Sequence, residues 1–355
     1  MTIGIIGGSS QVGSSVAYYL KNYSDVNFKC FVRSSYSQVF FDLLNIAYEK
    51  FDINNSMELK HKLEECDTVL DFSFPTGQLS GIPDAIDNIL THVISSMQPG
   101  ATFIYMSSIM AYGMDANEKF IRNTFFSHTP YAFIKRKAEA RCLALGKKFG
   151  INAYNFRLGQ VHGFLQSVNT SFREKLKDKK VVFIDGSPGD LTNTVFINTI
   201  AEAILNFSKE KHSPGTYTLV NNPQWTLTQL YEFYIKFYDI QTSLQFIPSF
   251  PNSTSLNFKS KVFGKLKKYR PLLESYFLIK FPKLSSRIKG KYRELEIANI
   301  VSSLKSGKID YIDYNLLGRP DGKLIPLLNC GFDEVYEIEK TMESGYEALI
   351  NMNRK

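Results

Sequence analysis

Residues 3–20, IGIIGGSSQVGSSVAYYL, decide the fold because they join a strand, a glycine turn and the start of a helix. The apolar run Ile3–Ile6 predicts a buried strand, and the apolar positions after Gly13 have helical spacing. Glycine permits a tight turn, and the amino end of a helix attracts phosphate. Gly7 and Gly13 hold the outer positions of a Gly-x-x-Gly-x-x-Gly pattern, with Ser10 in the middle. An ordinary strand-to-helix turn is the alternative, but the pattern favours a dinucleotide site. The residues expected at its diphosphate are Gly7, Ser10, Gln11, Val12 and Gly13.

The first 220 residues alternate apolar runs with helical patterns, the order expected of a parallel sheet with crossover helices. Continuous apolar strands indicate a sheet that is buried on both faces. The clearest helix begins near Tyr131 and ends before Gly150, which suits a C-terminal cap. The sequence therefore predicts an α/β fold with a Rossmann-like, doubly wound parallel sheet and a smaller, mainly helical C-terminal substrate lobe. The predicted strands are Ile3–Ile6, Phe28–Val32, Thr68–Phe72, Phe103–Met106 and Ala153–Leu158.

The apolar rhythm loosens near Gln166, and after Asn222 the chain becomes mainly helical, aromatic and basic. We therefore expect a dinucleotide-binding domain at residues 1–165, to which residues 193–222 return. Residues 166–192 and 223–355 would form the substrate lobe.

The composition is that of an ordinary globular protein, with 44% hydrophobic and 21% charged residues in 355. The N-terminus lacks the pattern of a signal peptide, and no apolar run is long enough to span a membrane. The four cysteines are far apart and form no Cys-x-x-Cys pair, and the five histidines are scattered. These features predict a cytoplasmic enzyme with reduced thiols and no metal site.

The net charge of +8 comes from one segment, Lys259–Arg293, which has 12 Lys/Arg residues and one acidic residue. The rest of the chain is slightly acidic, with 30 basic and 33 acidic residues. Three interpretations stay open: a helical lid with solvated lysines, a docking surface for an anionic substrate or acidic partner, and a peripheral membrane segment. Nucleic acid is not expected as a partner, because no recognition motif accompanies the charge.

The second predicted strand ends at Arg33, followed by two serines. An acidic residue in this place holds the ribose 2′-hydroxyl of NAD, whereas a basic residue suits the 2′-phosphate of NADP. Arg33 could also be a solvated charge at a strand end. With no acidic residue nearby, it favours NADP over NAD as the cofactor.

The strand Phe103–Met106 leads to Ser108, and Tyr131 and Lys135 follow 23 residues later at spacing i, i+4. That spacing puts both side chains on one face of a helix. A phenol has a pKa near ~10, so a neighbouring ammonium must stabilise its anion for proton transfer at neutral pH. Ser108 would hold the substrate oxygen, and Tyr131 would transfer its proton.

These motifs resemble the extended short-chain dehydrogenases/reductases, the NAD(P)-dependent epimerase/dehydratase family, over about the first 225 residues. FIYMSSIMAYG and TPYAFIKRKAEA are similar to the family's serine and Tyr-x-x-x-Lys segments, which implies catalysis by Ser108, Tyr131 and Lys135. EKFDIN and DTVLDFSF are similar to its adenine-contacting and fourth-strand segments. FRLGQVHG, TNTVFINTIAEAI and GRPDG are similar to later segments of the substrate side. The resemblance implies cofactor contacts from Asp52, Ile53, Phe72, Ser73 and Lys135, and substrate contacts from Ser108, Gln160 and Arg319.

The chain also departs from the family pattern. Sugar-nucleotide dehydratases have acidic residues where this chain has Ile109 and Met110, so a 4,6-dehydratase is not expected. Thr192 replaces a diphosphate-binding Arg of many relatives, and Asn198 replaces a usual Asp. His162 stands at the family's Tyr position, beside Gln160 at its Asn position.

The function favoured by the sequence is NADPH-dependent reduction of a keto group on a nucleotide-activated sugar. The alternative is a nucleotide-sugar epimerase that retains its cofactor. A non-catalytic NADP-binding sensor is a third hypothesis. The family resemblance further implies a homodimer.

Overall fold

The computed structural model describes residues 1–33, 38, 41–75, 81–112, 130–185, 187–221, 223–247 and 332–353. Its strands are β1 Thr2–Ile6, β2 Asn27–Val32, β3 Tyr48–Lys50, β4 Thr68–Asp71, β5 Thr102–Ser108, β6 Asn152–Leu158, β7 Gln160–His162, β8 Val181–Asp185, β9 Thr194–Phe196, β10 Gly215–Leu219 and β11 Ser243–Ile247. Its helices are α1 Gln11–Tyr23, α2 Ser56–Leu63, α3 Ile82–Ser96, α4 Pro130–Phe149, α5 Ser167–Leu176, α6 Ile197–Lys209, α7 Leu227–Phe237 and α8 Phe332–Asn353. A 3₁₀ helix, Ile109–Tyr112, follows β5.

Within these ranges, seven strands form one parallel sheet in the order β3-β2-β1-β4-β5-β6-β10. The five predicted strands are confirmed, each within two residues of its predicted ends. The sequence analysis missed the two edge strands, β3 and β10, because edge strands contain more polar residues than a buried apolar run. The predicted doubly wound α/β class is therefore confirmed.

The order of the strands places the cleft. The chain starts in the middle of the sheet at β1, adds β2 and β3 on one side, and then returns to β4 for the other side. Ligands of such sheets bind at the carboxyl ends of the strands where the direction reverses, which here lies between β1 and β4. The register aligns Ile6 with Asp71, so both strands end at this point.

Helices cover both faces of the sheet. On one face, α2, α3 and α4 bury apolar side chains such as Leu63, Leu90 and Ile134. On the other, α1 and α6 bury Leu20 and Ile204. As predicted, α4 ends before Gly150, whose φ of +69° suits a C-terminal cap.

A third apolar cluster joins α5, β8 and α7, and it is rich in aromatic side chains. The strands β8 and β11 pair in parallel as a separate two-stranded sheet. Residues of α8 complete both this cluster and the core around α1.

The division into a cofactor domain and a substrate lobe stays a prediction. Among the helices with assigned positions, none has the length and apolar character needed to cross a membrane.

Candidate active site

The turn between β1 and α1 has the geometry that the glycine pattern predicts. Gly7 has a φ of +69°, and a Cβ there would lie 2.6 Å from the backbone nitrogen of Ser73. A Cβ on Gly13 would lie 2.6 Å from the carbonyl oxygen of Gly7. These two glycines therefore permit the close packing of the turn against the loop after β4 and of α1 against the turn. Ser10 caps α1, since its hydroxyl accepts a hydrogen bond from the Gly13 N–H at 3.2 Å.

The helix α1 presents its positive end at this turn. Its first amides, those of Gln11 and Val12, have no intrahelical acceptor by the geometry of a helix, and they attract an anion. The Gln11 carbonyl is held in place by hydrogen bonds from the side chains of Ser15 and Gln166, both at 2.9 Å. The turn, its helix cap and the fixed first amides fit the diphosphate of a dinucleotide.

Three further residues that were predicted to contact the cofactor lie at the carboxyl ends of β2 and β3, on the same edge of the sheet as the glycine turn. Arg33 follows β2 and is exposed. Asp52 is also exposed, and its Oδ1 accepts a hydrogen bond from the Asn54 N–H at 2.9 Å. Ile53 is partly buried, and its carbonyl oxygen lies 2.9 Å from Nδ1 of His92. Arg33 is thus accessible to the ribose end of a dinucleotide.

The end of β4 combines a buried acid with the loop that contacts the glycine turn. Asp71 is 1% exposed, and its Oδ1 accepts a hydrogen bond from the Ser73 N–H at 2.8 Å. The Phe72 side chain is buried in the core beside α1. Of the two predicted cofactor contacts here, Phe72 can therefore offer only its backbone, while Ser73 is partly exposed.

The predicted acid/base residues come together at the carboxyl end of β5. Ser108 ends this strand and is partly buried, and its Oγ accepts a hydrogen bond from the Met110 N–H at 3.2 Å. Tyr131 lies in the first turn of α4 and is 37% exposed. Burial raises the pKa of the Tyr131 phenol, and a hydrogen bond with Ser108 opposes that shift. The phenol is therefore protonated at neutral pH.

One helical turn later, Lys135 lies almost wholly inside the protein, at 5% exposure. Its Nζ donates a hydrogen bond to the carbonyl oxygen of Met106 at 2.7 Å. Three rings surround the ammonium: their centroids lie 4.7 Å away for Tyr105, 5.3 Å for Phe74 and 5.8 Å for Tyr131. The amine is thus held beneath the Tyr131 ring by one hydrogen bond and favourable ring contacts.

Burial lowers the pKa of Lys135 to about 8, and the carboxylates of Asp71 and Glu139 oppose this shift. Sequence reasoning missed both acids. Glu139 has a detectable signal, because it lies four residues after Lys135 and so on the same helix face. Asp71 has a weaker one, a carboxylate at the end of an apolar strand.

Phe74 and the pair Glu139–Arg157 were also missed. The Phe74 ring is 38% exposed and packs against Tyr131 with their centroids 5.3 Å apart. The Arg157 guanidinium binds both oxygens of Glu139, which fixes α4 to β6. Neither relationship is visible in the spacing of residues along the chain.

The predicted substrate residues are only partly assembled. Gln160 is exposed at the start of β7. His162 is buried, contacts the Tyr234 hydroxyl at 2.6 Å, and has a pKa lowered to about 3 by burial. Thr192, at the position of the diphosphate-binding arginine of many relatives, is also buried, and its hydroxyl donates to the Trp225 carbonyl oxygen inside the protein at 3.0 Å. Arg319 and the basic segment 259–293 lie outside the described residues.

No group of three potential ligands (His, Cys, Asp or Glu) that could hold a metal is found in the part of the chain with assigned positions. The cysteines in that part, Cys30, Cys66 and Cys142, are buried free thiols.

The parallel sheet, its glycine turn and the Ser108–Tyr131–Lys135 group define a dinucleotide-dependent enzyme of the short-chain dehydrogenase/reductase class. The sequence profile of the NAD dependent epimerase/dehydratase family matches residues 3–219. The chain belongs to this family, and it is an NAD(P)-dependent enzyme. No significant match to a curated protein sequence is found.

Several solved structures share the fold. UDP-N-acetylglucosamine 4-epimerase from Bacillus cereus has a TM-score of 0.55 and 16% identity, covering 71% of this chain and 87% of its own. UDP-glucuronic acid 4-epimerase from Bacillus cereus in complex with NAD has a TM-score of 0.53 and 16% identity, covering 70% of this chain and 87% of its own. UDP-glucose 4-epimerase from Thermotoga maritima, with UDP-glucose, has a TM-score of 0.52 and 17% identity, covering 71% of this chain and 87% of its own.

Proposed function

We propose that this protein is a nucleotide-sugar epimerase that acts on uridine-diphosphate sugars and retains its nicotinamide cofactor through the reaction. The observation that carries the proposal is the grouping of Ser108, Tyr131 and Lys135 beside a dinucleotide-type glycine turn, in a member of the epimerase/dehydratase family. The three solved structures compared with this chain are UDP-sugar 4-epimerases. They favour the epimerase over the keto reductase that the sequence analysis put first.

The residues of this chain have separate tasks in the proposed reaction. The α1 amino end would bind the diphosphate of the cofactor, and the loop at Ser73 would contact its nicotinamide half. A bound nicotinamide cofactor would supply reversible hydride transfer at a sugar carbon. Ser108 would orient the oxygen on that carbon, and Tyr131 would remove the hydroxyl proton and later return it.

Proton removal requires the Tyr131 phenolate, whereas burial favours the neutral phenol. The ammonium of Lys135 lies beneath the ring and is the group that can stabilise the anion. Ile109, beside Ser108, is buried and apolar, so the site lacks the acid/base pair of a dehydratase at these positions.

For the cofactor we propose NAD. The UDP-glucuronic acid 4-epimerase of similar fold is solved with NAD, and the matching family is named for NAD. Arg33 supports the opposite choice, NADP, because its exposed guanidinium could bind a 2′-phosphate. Fluorescence titration of the protein with NADH and NADPH decides between the two cofactors.

The deciding experiment incubates the purified protein with UDP-glucose, UDP-N-acetylglucosamine and UDP-glucuronic acid, and follows the C4 epimers by NMR. An epimerase forms product with NAD below the substrate concentration and with no net change in NADH absorbance. A keto reductase consumes one NAD(P)H for each product molecule, in an assay that supplies keto sugars. Cofactor binding without turnover of any of these substrates would favour the sensor hypothesis.

The predicted homodimer also stays a proposal. Light scattering of the purified protein measures its mass directly, and a mass of one chain would contradict it.

A further inference from the structure

Lys135 presents an electrostatic problem that the rest of the site must solve. To stabilise a phenolate it has to remain an ammonium, yet it is 5% exposed and surrounded by aromatic rings. Transferring a charged amine out of water favours its neutral form unless an opposite charge compensates. The Met106 carbonyl offers a dipole but not a countercharge. A buried anion is therefore needed nearby.

Two buried carboxylates act on Lys135, those of Asp71 and Glu139. Glu139 already has a cation of its own: Arg157 donates from Nε to Oε1 at 2.9 Å and from Nη2 to Oε2 at 2.6 Å. The Ser107 hydroxyl also donates to Glu139. This carboxylate is balanced by its own guanidinium, and it can offer Lys135 only part of its field.

Asp71 is in a different situation. It is 1% exposed, and its Oδ1 accepts a hydrogen bond from a neutral donor, the Ser73 N–H, at 2.8 Å. Burial raises the pKa of the Asp71 carboxyl, while the hydrogen bonds from Ser73 and the charge of Lys135 oppose that shift. Lys135 is the cation that acts on Asp71 among the residues with assigned positions. The sheet register places Asp71 directly beside Tyr105, the residue whose ring is nearest the ammonium. Asp71 and Lys135 are thus opposite charges buried beside the same residue, Tyr105, and apart from the ion pair of Glu139 and Arg157.

We propose that Asp71 is a positioning residue whose buried carboxylate is the countercharge that keeps Lys135 an ammonium beneath the Tyr131 ring. The inference rests on the proposed function, since it assigns Lys135 the task of stabilising the phenolate. It adds a residue that acts through Lys135 and touches neither substrate nor cofactor.

The other titratable groups around Lys135 do not supply this charge. Burial raises the pKa of Tyr105, Tyr131 and Cys142, so all three are neutral at neutral pH. Arg136, on the next position of α4, faces Arg157 and Glu139 and adds positive charge. That leaves Asp71 as the anion without an arginine partner in the described surroundings of Lys135.

The test is a direct titration of the amine. The full-length protein is prepared with ¹³C-labelled lysine, and the Cε signal of Lys135, identified by its loss in Lys135→Arg, is followed by NMR against pH. We expect Asp71→Asn, which keeps the shape and an acceptor for the Ser73 N–H, to lower the Lys135 midpoint by roughly 1 pH unit or more. Asp71→Glu retains the charge and should titrate close to the native protein.

Asp67→Asn is the matched control, because Asp67 lies just before the same strand but its side chain is 64% exposed. It should leave the Lys135 midpoint unchanged. An unchanged midpoint in Asp71→Asn would overturn the proposal, and a neutral Asp71 carboxyl would give that result. If Asp71→Asn does not fold, Asp71→Glu and the native protein decide: a Lys135 that is mostly neutral at pH 7 in either one contradicts the proposal.

The titration needs no substrate, so it separates this inference from the proposed function. A shifted midpoint without turnover of any UDP-sugar supports the Asp71–Lys135 pair and rejects the epimerase. Epimerase activity with an unshifted Lys135 midpoint supports the epimerase and rejects Asp71 as the countercharge of Lys135.

Discussion

Glu139 on α4 and Arg157 on β6 form a two-point ion pair inside the protein, with N–O distances of 2.9 and 2.6 Å. The side chains are only 6% and 8% exposed. The pair fixes the helix that contains Tyr131 and Lys135 to β6, the strand next to one edge of the sheet. The positions of both predicted acid/base residues therefore depend on it.

Glu139→Gln should destabilise the protein strongly. The substitution leaves the Arg157 guanidinium buried without its countercharge, a loss that typically costs about 3–5 kcal/mol. Urea denaturation followed by circular dichroism measures it. The control is Glu64→Gln, which breaks the exposed Lys60–Glu64 pair and should cost less than about 1 kcal/mol. An equal loss of unfolding free energy in the two variants would show that the buried ion pair stabilises the protein no more than an exposed one.

Tyr131→Phe should lower turnover by about 10²- to 10⁴-fold, because the phenol that transfers the proton is gone. Cofactor affinity should stay near the native value, since the ring remains. Rates are compared by the NMR assay and affinities by fluorescence titration. Tyr23→Phe is matched in exposure, at 37% for both tyrosines, and should be fully active. If Tyr131→Phe keeps more than about a tenth of native activity, Tyr131 is not the acid/base.

Arg33→Ala tests the choice of cofactor. For an NAD enzyme, we expect the native protein to bind NADH at least as tightly as NADPH, and the variant to leave NADH affinity unchanged. If Arg33 instead holds a 2′-phosphate, the native protein prefers NADPH, and the variant loses about 10- to 100-fold in NADPH affinity, the scale of a charge-assisted contact. Fluorescence titration of both nucleotides against both proteins distinguishes these outcomes.

Glu339 on α8 should make stability fall as the pH rises. It is 1% exposed, and burial raises its pKa from 4.5 to about 8. The folded state therefore retains a proton that the unfolded state has lost, and its contribution to stability is complete below about pH 4.5 and lost as the pH passes 8. Between pH 7 and 8 this predicts a loss of up to about 1.4 kcal/mol.

Glu339→Gln should remove that slope, as measured by urea denaturation at pH 7.0, 7.5 and 8.0. In this range buried Lys135, whose pKa is lowered to about 8, contributes in the opposite direction, and buried His162 does so to a smaller extent. The difference in slope between the native protein and Glu339→Gln therefore measures the contribution of Glu339. Glu337→Gln, an exposed position on the same helix, should keep the native slope. A slope that survives in Glu339→Gln assigns the pH dependence to another group.

Much of the site could be predicted because its signals are local. The spacing of Tyr131 and Lys135 defines a helix face, and the glycines of the β1–α1 turn report a backbone that side chains would obstruct. The contacts of the exposed residues Phe74 and Gln160 are harder to predict. Nothing in the neighbouring sequence determines which residues they contact. Thr192 illustrates the limit: its hydroxyl is used inside the protein, which only the position of Trp225 reveals.

The sequence by itself determined the α/β class and its five central strands, and it predicted the glycine turn for a cofactor and the Ser108–Tyr131–Lys135 set. Each follows from apolar periodicity or from a spacing of a few residues, which a helix or strand converts directly into geometry. Only the tertiary structure decided that Asp71 and Glu139 both act on Lys135 and that Arg157 balances just one of them. These residues lie on β4, α4 and β6, and their approach depends on how strands far apart in sequence align in the sheet. Charge balance in a buried site is a property of that packing, because burial and neighbouring charges set a pKa.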